Sequence, residues 1–81
     1  MGRINFTAAN NNTPSTRIVT GVLINPSNTN WVCTLLNSAG EVVFDAFGSD
    51  KVSRYYPIED SWAGIKLSVA TSLTRVIIYV R

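Results

Sequence analysis

Apolar and polar residues alternate with a period of two along almost the whole chain, and this pattern limits the fold more than any other feature. The segment GIKLSVA shows it most clearly, since its isoleucine, leucine and valine take every second position. No window carries the i, i+3, i+4, i+7 spacing of an amphipathic helix. We therefore expect an all-β fold, a small antiparallel β-sandwich or jelly roll of about seven short strands. The pattern does not give strand order, so a small barrel stays an alternative.

The predicted strands are separated by segments that favour turns. Pro14 and a run of asparagines predict a loop over AANNNTPST, and Gly40 at the end of NSAG predicts a hairpin with a left-handed residue. Pro57 is expected to end a strand, which makes PIEDSWA irregular, and Gly21 indicates a bulge or a place where another backbone comes close. The predicted strands are RINFTA, STRIVTGVLIN, NWVCTLL, EVVFDAF, VSRYY, GIKLSVA and RVIIYVR.

A chain of 81 residues forms one domain with a small margin of stability. We expect a single β domain over residues 1–81, with residues 1–16 as an extended N-terminal arm. The single Cys33 cannot form an internal disulfide, and the absence of histidine excludes the usual zinc sites. Stability must therefore come from good packing or from a partner chain.

Charge is sparse and evenly spread. The formal net charge is +2 and 15% of residues are charged, against about 25% in typical domains, while eight Asn, eight Thr and eight Ser supply the polarity. There is no Lys/Arg stripe of the kind that binds nucleic acid. The longest apolar run, Val76 to Val80, is too short to cross a membrane, and the N-terminus does not read as a signal peptide. We expect synthesis in a cytoplasm and no membrane partner.

The acidic residues give no catalytic pattern. Glu59 and Asp60 are adjacent and are interpreted as solvated turn residues rather than as an acid–base pair. Asp45 lies on an otherwise apolar strand, where a buried carboxylate would need a partner. The candidate partners are Arg17, Arg54 and Arg75.

Cys33 has no histidine to activate it and is expected to be a buried apolar residue. The sequence therefore predicts no catalytic residue, no metal site and no cofactor. Three aromatic residues offer one candidate ligand site, because Tyr55, Tyr56 and Trp62 bracket the PIEDSWA segment and together would form a platform for sugar rings or bases. The alternative is that Trp62 closes one end of the sandwich while the tyrosines bridge core and solvent.

The last strand, VIIYVR, is apolar on both faces. Val76, Ile78 and Val80 would face the core, and leaving Ile77 and Tyr79 in water would forgo about 1.5 to 3 kcal/mol per side chain. Either the chain's own AANNNTP segment covers this second face or a neighbouring subunit does. EVVFDAF is also apolar on both faces. The residues predicted to form a subunit interface are Arg75, Ile77, Tyr79 and Arg81.

The run from LLNSAGEVVF through YYPIEDSWAGIKLSVATSLTRVIIYVR resembles small virion proteins of tailed bacteriophages. The resemblance extends from Leu35 to Arg81. It rests on a strand that ends in a turn with glycine, a proline-containing loop, a GI-L-V strand and a final strand with an apolar-Tyr motif. It implies a non-enzymatic β-sandwich, located in the virion, that decorates or cements a capsid.

Such a protein is commonly a homotrimer, so the implied partners are copies of the chain and a capsid or other virion protein. The segment MGRINFTAANNNTPST is the candidate for gripping the shell by β-augmentation, with Ile4 and Phe6 as attachment residues. Two other functions stay open at this point. One is a carbohydrate-binding module that uses the aromatic platform, and the other is single-stranded nucleic-acid binding, which the even charge distribution disfavours.

Overall fold

Six β-strands account for most of the described residues, 2–7 and 12–81, of this computed structural model. The predicted all-β fold is confirmed, and every pair of neighbouring strands is antiparallel. The strands form one sheet in the order β1-β6-β2-β5-β3-β4. Their bounds are β1 Gly2–Phe6, β2 Asn12–Pro26, β3 Trp31–Leu36, β4 Val42–Gly48, β5 Arg54–Thr71 and β6 Leu73–Val80.

The two longest strands, β2 and β5, connect the two halves of the folded sheet. β5 pairs with β2 from Arg54 to Lys66 and with β3 from Lys66 to Thr71, so it belongs to both halves. One half, the β6 layer, contains β1, β6 and the part of β2 that pairs with β6. The other half, the β4 layer, contains β4, β3 and the end of β5. The result is a small β-sandwich built from one continuous sheet.

Alternate side chains of both layers meet in one hydrophobic core. Val22 and Ile78 enter it from the β6 layer, and Leu35 and Leu67 enter it from the β4 layer. The alternation seen in the sequence is therefore the alternation between this core and the outside. The buried core residues are Phe6, Val19, Val22, Ile24, Trp31, Cys33, Leu35, Ala46, Trp62, Ile65, Leu67, Val76, Ile78 and Val80.

The hairpin between β3 and β4 confirms the turn predicted at NSAG. Gly40 has φ of 83°, the left-handed region that glycine enters without steric cost. Its amide donates to the Asn37 carbonyl at 3.0 Å. The Asn37 side-chain oxygen accepts from the amides of Ala39 and Glu41 at 3.0 Å each, which fixes the turn. This turn sets the register of β4 against β3.

Two predicted irregular segments are strands in the structure. PIEDSWA lies within β5, where Pro57 is opposite Gly21 beside a register shift, and a bulge accepts a proline that a regular ladder would exclude. The predicted strands VSRYY and GIKLSVA therefore become one. In the predicted loop AANNNTPST, Asn12–Thr16 belongs to β2, while residues 8–11 lie outside the described residues. The described parts of the predicted arm, Gly2–Phe6 and Asn12–Thr16, are thus sheet strands.

Candidate docking surface

The outside of the β4 layer carries three cross-strand rows, the third of which follows a register shift in both strand pairs. Residues directly opposite each other in an antiparallel sheet share a face, so the pairing register defines these rows. We call this surface the outer β3 face, after its middle strand. Its rows, read from β4 through β3 to β5, are Phe47, Val32 and Thr71; Asp45, Thr34 and Val69; and Val42, Leu36 and Lys66.

Large apolar side chains on this face are open to solvent. Phe47 is 78% exposed, Val42 is 61% exposed and Val69 is 39% exposed. Val32 and Leu36 are half-buried between them. A single exposed apolar residue needs no explanation, but several on one sheet face mark a surface suited to contact with another molecule.

Asp45 does not form the salt bridge predicted for it. Its side chain is exposed on the outer β3 face, and its carboxylate accepts a hydrogen bond at 3.0 Å from the Thr34 hydroxyl on the neighbouring strand. The prediction assumed a buried carboxylate and was wrong, because the strand places Asp45 on the solvent side. The ion pairs within residues 2–7 and 12–81 are Arg54 with Asp50 at 2.7 Å and Arg81 with Glu59 at 2.9 Å.

An open groove of about 580 Å³ adjoins this face where β3 begins and β4 ends. Its lining includes Val32 and Phe47, so it is continuous with the outer β3 face. Arg54 stands at the groove with its guanidinium on Asp50, and this hydrogen bond lowers the pKa of the Asp50 carboxyl. The lining residues are Asn30, Trp31, Val32, Phe47, Gly48, Ser49 and Arg54.

The inner side of the same layer is closed. Gly48 passes directly over the buried Trp31 ring, since a Cβ at Gly48 would lie 2.6 Å from the indole Nε1. Cys33 is fully buried, as expected from the sequence. Burial, together with the negative charge of Asp45, raises the pKa of its thiol to about 12. The thiol is therefore protonated at neutral pH and is not a nucleophile.

The second face of β6, in contrast, is covered mainly by the chain itself. Ile77 is only 5% exposed, because β6 is a central strand with Asn5 of β1 on one side and Leu23 of β2 on the other. Tyr79 is half-buried. Its ring meets the Tyr55 ring edge to face, with the centroids 5.9 Å apart.

Gly21 makes this covering of β6 geometrically possible. The Tyr55 ring lies over Gly21, where a Cβ would come within 2.0 Å of the phenolic oxygen, and the Tyr55 hydroxyl donates to the Thr20 carbonyl at 3.4 Å. Of the two alternatives expected for Gly21, the bulge is confirmed, whereas the group that approaches it is a side chain and not another backbone. Gly21 lies at a register shift after Val19.

The predicted subunit interface therefore presents little apolar surface. Arg75 is exposed, and Arg81 is exposed and paired with Glu59, while Ile77 is nearly buried. The role of these residues in contacts between subunits stays a prediction. The other explanation for this face, cover by the AANNNTP segment, concerns residues 8–11 in part, and those lie outside the described residues.

Ile4 and Phe6, the predicted attachment residues, point into the protein's own core. Phe6 is 4% exposed and belongs to the core cluster, and Ile4 packs against it. Their alternation with exposed Arg3 and Asn5 follows from the pairing of β1 with β6. Both side chains are occupied within this fold, and their role in attachment to a shell stays a prediction.

The three aromatic residues of the predicted ligand platform do not come together. Trp62 is 2% exposed and lies in the core, as the alternative interpretation expected. Tyr56 is half-buried, with its ring edge to face with Phe44 at 5.2 Å, while Tyr55 is on the opposite face over Gly21. Adjacent strand residues point to opposite faces, and this separates the two tyrosines.

Glu59 and Asp60 are both exposed on β5, and Glu59 is engaged by Arg81. Within residues 2–7 and 12–81, no cluster of three or more His, Cys, Asp or Glu side chains is arranged to hold a metal ion. No helix of sufficient length and apolarity to span a membrane occurs among these residues either.

The two apolar faces of EVVFDAF, together with those of VIIYVR, predict oligomerisation or attachment to a larger surface, but no residue of β4 was assigned to an interface. The signal was present in EVVFDAF, which carries large apolar groups in both alternating sets. Its position at the edge of the sheet is what leaves Phe47 and Val42 exposed, and strand order is a non-local property. Comparisons of this chain with family models, with curated proteins and with solved structures gave no match.

Proposed function

We propose that this chain is a structural, non-enzymatic component of a bacteriophage virion, a decoration or cement protein that docks on a larger protein surface through its outer β3 face. The observation that carries the proposal is the 78% exposure of Phe47 among other apolar residues on one face of the sheet. The resemblance of residues 35–81 to small virion proteins of tailed phages supplies the type of assembly. The homotrimer that this resemblance implies stays a prediction.

The chemistry of the face favours a protein surface as the partner. Its apolar positions alternate with the hydroxyls of Thr34 and Thr71, and it carries only one acidic and one basic residue, Asp45 and Lys66. Interface cores are depleted in charge in the same way. Complete burial of an apolar side chain of this size contributes about 1.5 to 3 kcal/mol, so Phe47 is the expected energetic centre of the contact.

The groove extends this contact beyond the rows of the outer β3 face. Because Val32 and Phe47 line both surfaces, a partner side chain can enter the groove while its neighbours lie on the outer β3 face. Arg54, held by Asp50, adds a charged rim to one side. An apolar centre with a polar rim is the usual anatomy of a specific protein interface.

The experiment is mass spectrometry of density-gradient-purified particles from cells that produce the chain. We expect the chain to copurify with the particles in a fixed ratio to the major shell protein. Its absence from intact, infectious particles would overturn the virion assignment.

A pair of variants then tests the surface. Phe47→Ser removes the most exposed apolar residue of the outer β3 face and is expected to reduce incorporation into particles about tenfold or more. Val52→Ser is the matched control, since Val52 is 61% exposed but lies in the loop between β4 and β5. Equal incorporation of the two variants would show that docking uses another surface.

A further inference from the structure

The two edges of the sheet carry opposite charges. β1 and β4 are the outermost strands, so within residues 2–7 and 12–81 each has one side of its backbone without a neighbouring strand. The only charged residue of β1 is Arg3, and the only charged residue of β4 is Asp45. Unprotected edges are sites where another strand can pair.

Both charged side chains are available. Arg3 and Asp45 are exposed, and within residues 2–7 and 12–81 neither takes part in an ion pair. Asp45 accepts one hydrogen bond from Thr34. Each of the two residues lies on the outer side of its strand, because Ile4 and Phe6 on β1 and Phe44 and Ala46 on β4 pack in or against the core.

We propose that the β4 edge of one copy pairs with the β1 edge of a second copy, with Arg3 opposite Asp45. The strands alternate in direction across the sheet, and β1 and β4 occupy its two ends, so they run in opposite directions. A β1 strand placed beside β4 therefore continues the antiparallel pattern. With Arg3 opposite Asp45, Ile4 lies opposite Phe44, and both of these side chains face inward.

The charges also disfavour the competing contact between two β4 strands. Asp45 is the central residue of the seven in Val42–Gly48. Full antiparallel pairing of two β4 strands would place the two Asp45 carboxylates directly opposite each other, which destabilises a sheet. The charge of Asp45 thus disfavours pairing of β4 with the β4 strand of a second copy. It favours pairing with the β1 strand of that copy, which carries the guanidinium of Arg3.

The contact joins two different surfaces, so it is heterologous. Repetition of a heterologous contact closes into a ring or continues as an open chain of subunits. The inference goes beyond the proposed function, because it concerns contacts between copies through backbone edges. A chain that fails to self-associate can still dock through the outer β3 face, and a chain that self-associates need not belong to a virion.

The test is a charge-exchange series measured by sedimentation equilibrium over a hundredfold dilution. The wild-type chain is expected to associate reversibly. Arg3→Glu and Asp45→Lys should each weaken association about tenfold, since each replaces an attractive cross-strand pair with a repulsive one. The double variant Arg3→Glu/Asp45→Lys should recover wild-type association, because the pair is restored with its signs exchanged.

Lys51→Glu is the matched control, because Lys51 is exposed in the loop after β4 and its reversal changes the net charge as Arg3→Glu does. It should associate as the wild type does. Unchanged thermal unfolding of the four variants confirms that folding is intact, as expected for exposed positions. The proposal is overturned by a wild-type chain that is monomeric at every concentration, by single variants that associate normally, or by a double variant that does not recover.

Discussion

β6 and β4 are both apolar on two faces, yet the fold treats them in opposite ways. β6 lies between β1 and β2, and Ile77 on its second face is 5% exposed. β4 lies at the edge, and Phe47 on its second face is 78% exposed. The same sequence pattern therefore has two outcomes. In the central strand the second face is covered by neighbouring side chains, and in the edge strand it is exposed, which is why we propose it as the docking surface.

Neighbouring strands provide most of the cover on β6. Leu23 and Asn5 flank Ile77 in its cross-strand row, and the Tyr55 ring reaches over Gly21 to Tyr79. β4 has a neighbour on one side only, so half of this lateral packing is missing. In this domain, two apolar faces leave an exposed apolar surface on the edge strand β4 but not on the central strand β6.

The largest expected effect tests whether the inner side of the β4 layer excludes water around Cys33. The pKa of Cys33 is raised from 9.0 to about 12, so the folded state holds this proton more tightly than the unfolded state. Its contribution to stability is complete below pH 9 and is lost as the pH rises from about 9 towards 12, at most about 4 kcal/mol. Denaturant titrations of the wild type and Cys33→Ala should diverge over this interval.

If the two proteins keep a constant difference in free energy of unfolding up to pH 12, the inner side of the β4 layer is open to water. A thiol reagent gives an independent reading. Cys33 should react only on unfolding, whereas a cysteine introduced as Thr34→Cys in a Cys33→Ala background should react in the native protein, because Thr34 faces outward.

The next effect tests the cover on β6. Ile77→Ala is expected to lower the free energy of unfolding by about 3 kcal/mol, the usual loss for truncating a buried isoleucine. Phe47→Ala, on the exposed face of β4, should change it by less than about 0.5 kcal/mol. Chemical denaturation measures both. Similar losses of unfolding free energy in the two variants would show that the second faces of β6 and β4 are equally buried.

A smaller effect tests the contribution of Tyr55. Gly21→Ala places a methyl group where the Tyr55 ring lies, so the ring must move away from Tyr79, at a cost of about 1 to 2 kcal/mol. Gly2→Ala is the control, since its nearest neighbour would be a Val80 methyl at an ordinary 3.7 Å. The difference between the two melting temperatures measures the effect. Equal melting temperatures would mean that the Tyr55 ring does not contribute to this cover.

Local sequence chemistry predicted local structure well. The alternation predicted the strands, Gly40 predicted the β3–β4 turn, and Gly21 predicted the bulge. Cys33 and Trp62 are buried as their surroundings suggested. Each of these properties depends on a residue and its near neighbours in the chain.

The errors concern properties that depend on strand order. Asp45 was expected to pair with an arginine because its strand, apolar on both faces, was interpreted as buried. The position of β6 between β1 and β2 was likewise not known from the sequence, and the assignment of Ile77 to a subunit interface stays a prediction. Pro57 was expected to end a strand, but a bulge opposite β2 accommodates it. The surroundings of Asp45, Ile77 and Pro57 do not follow from the sequence of their own strands, because they depend on which strands lie beside them.

The most direct test of the contrast between β4 and β6 is hydroxyl-radical footprinting of the free chain and of the chain on purified particles. In the free chain Phe47 should be oxidised rapidly and Ile77 slowly, after correction for intrinsic reactivity. On particles Phe47 should become protected while Tyr79 keeps its free-chain rate. Protection of Tyr79 with continued oxidation of Phe47 would contradict the account and would place the docking surface on β6.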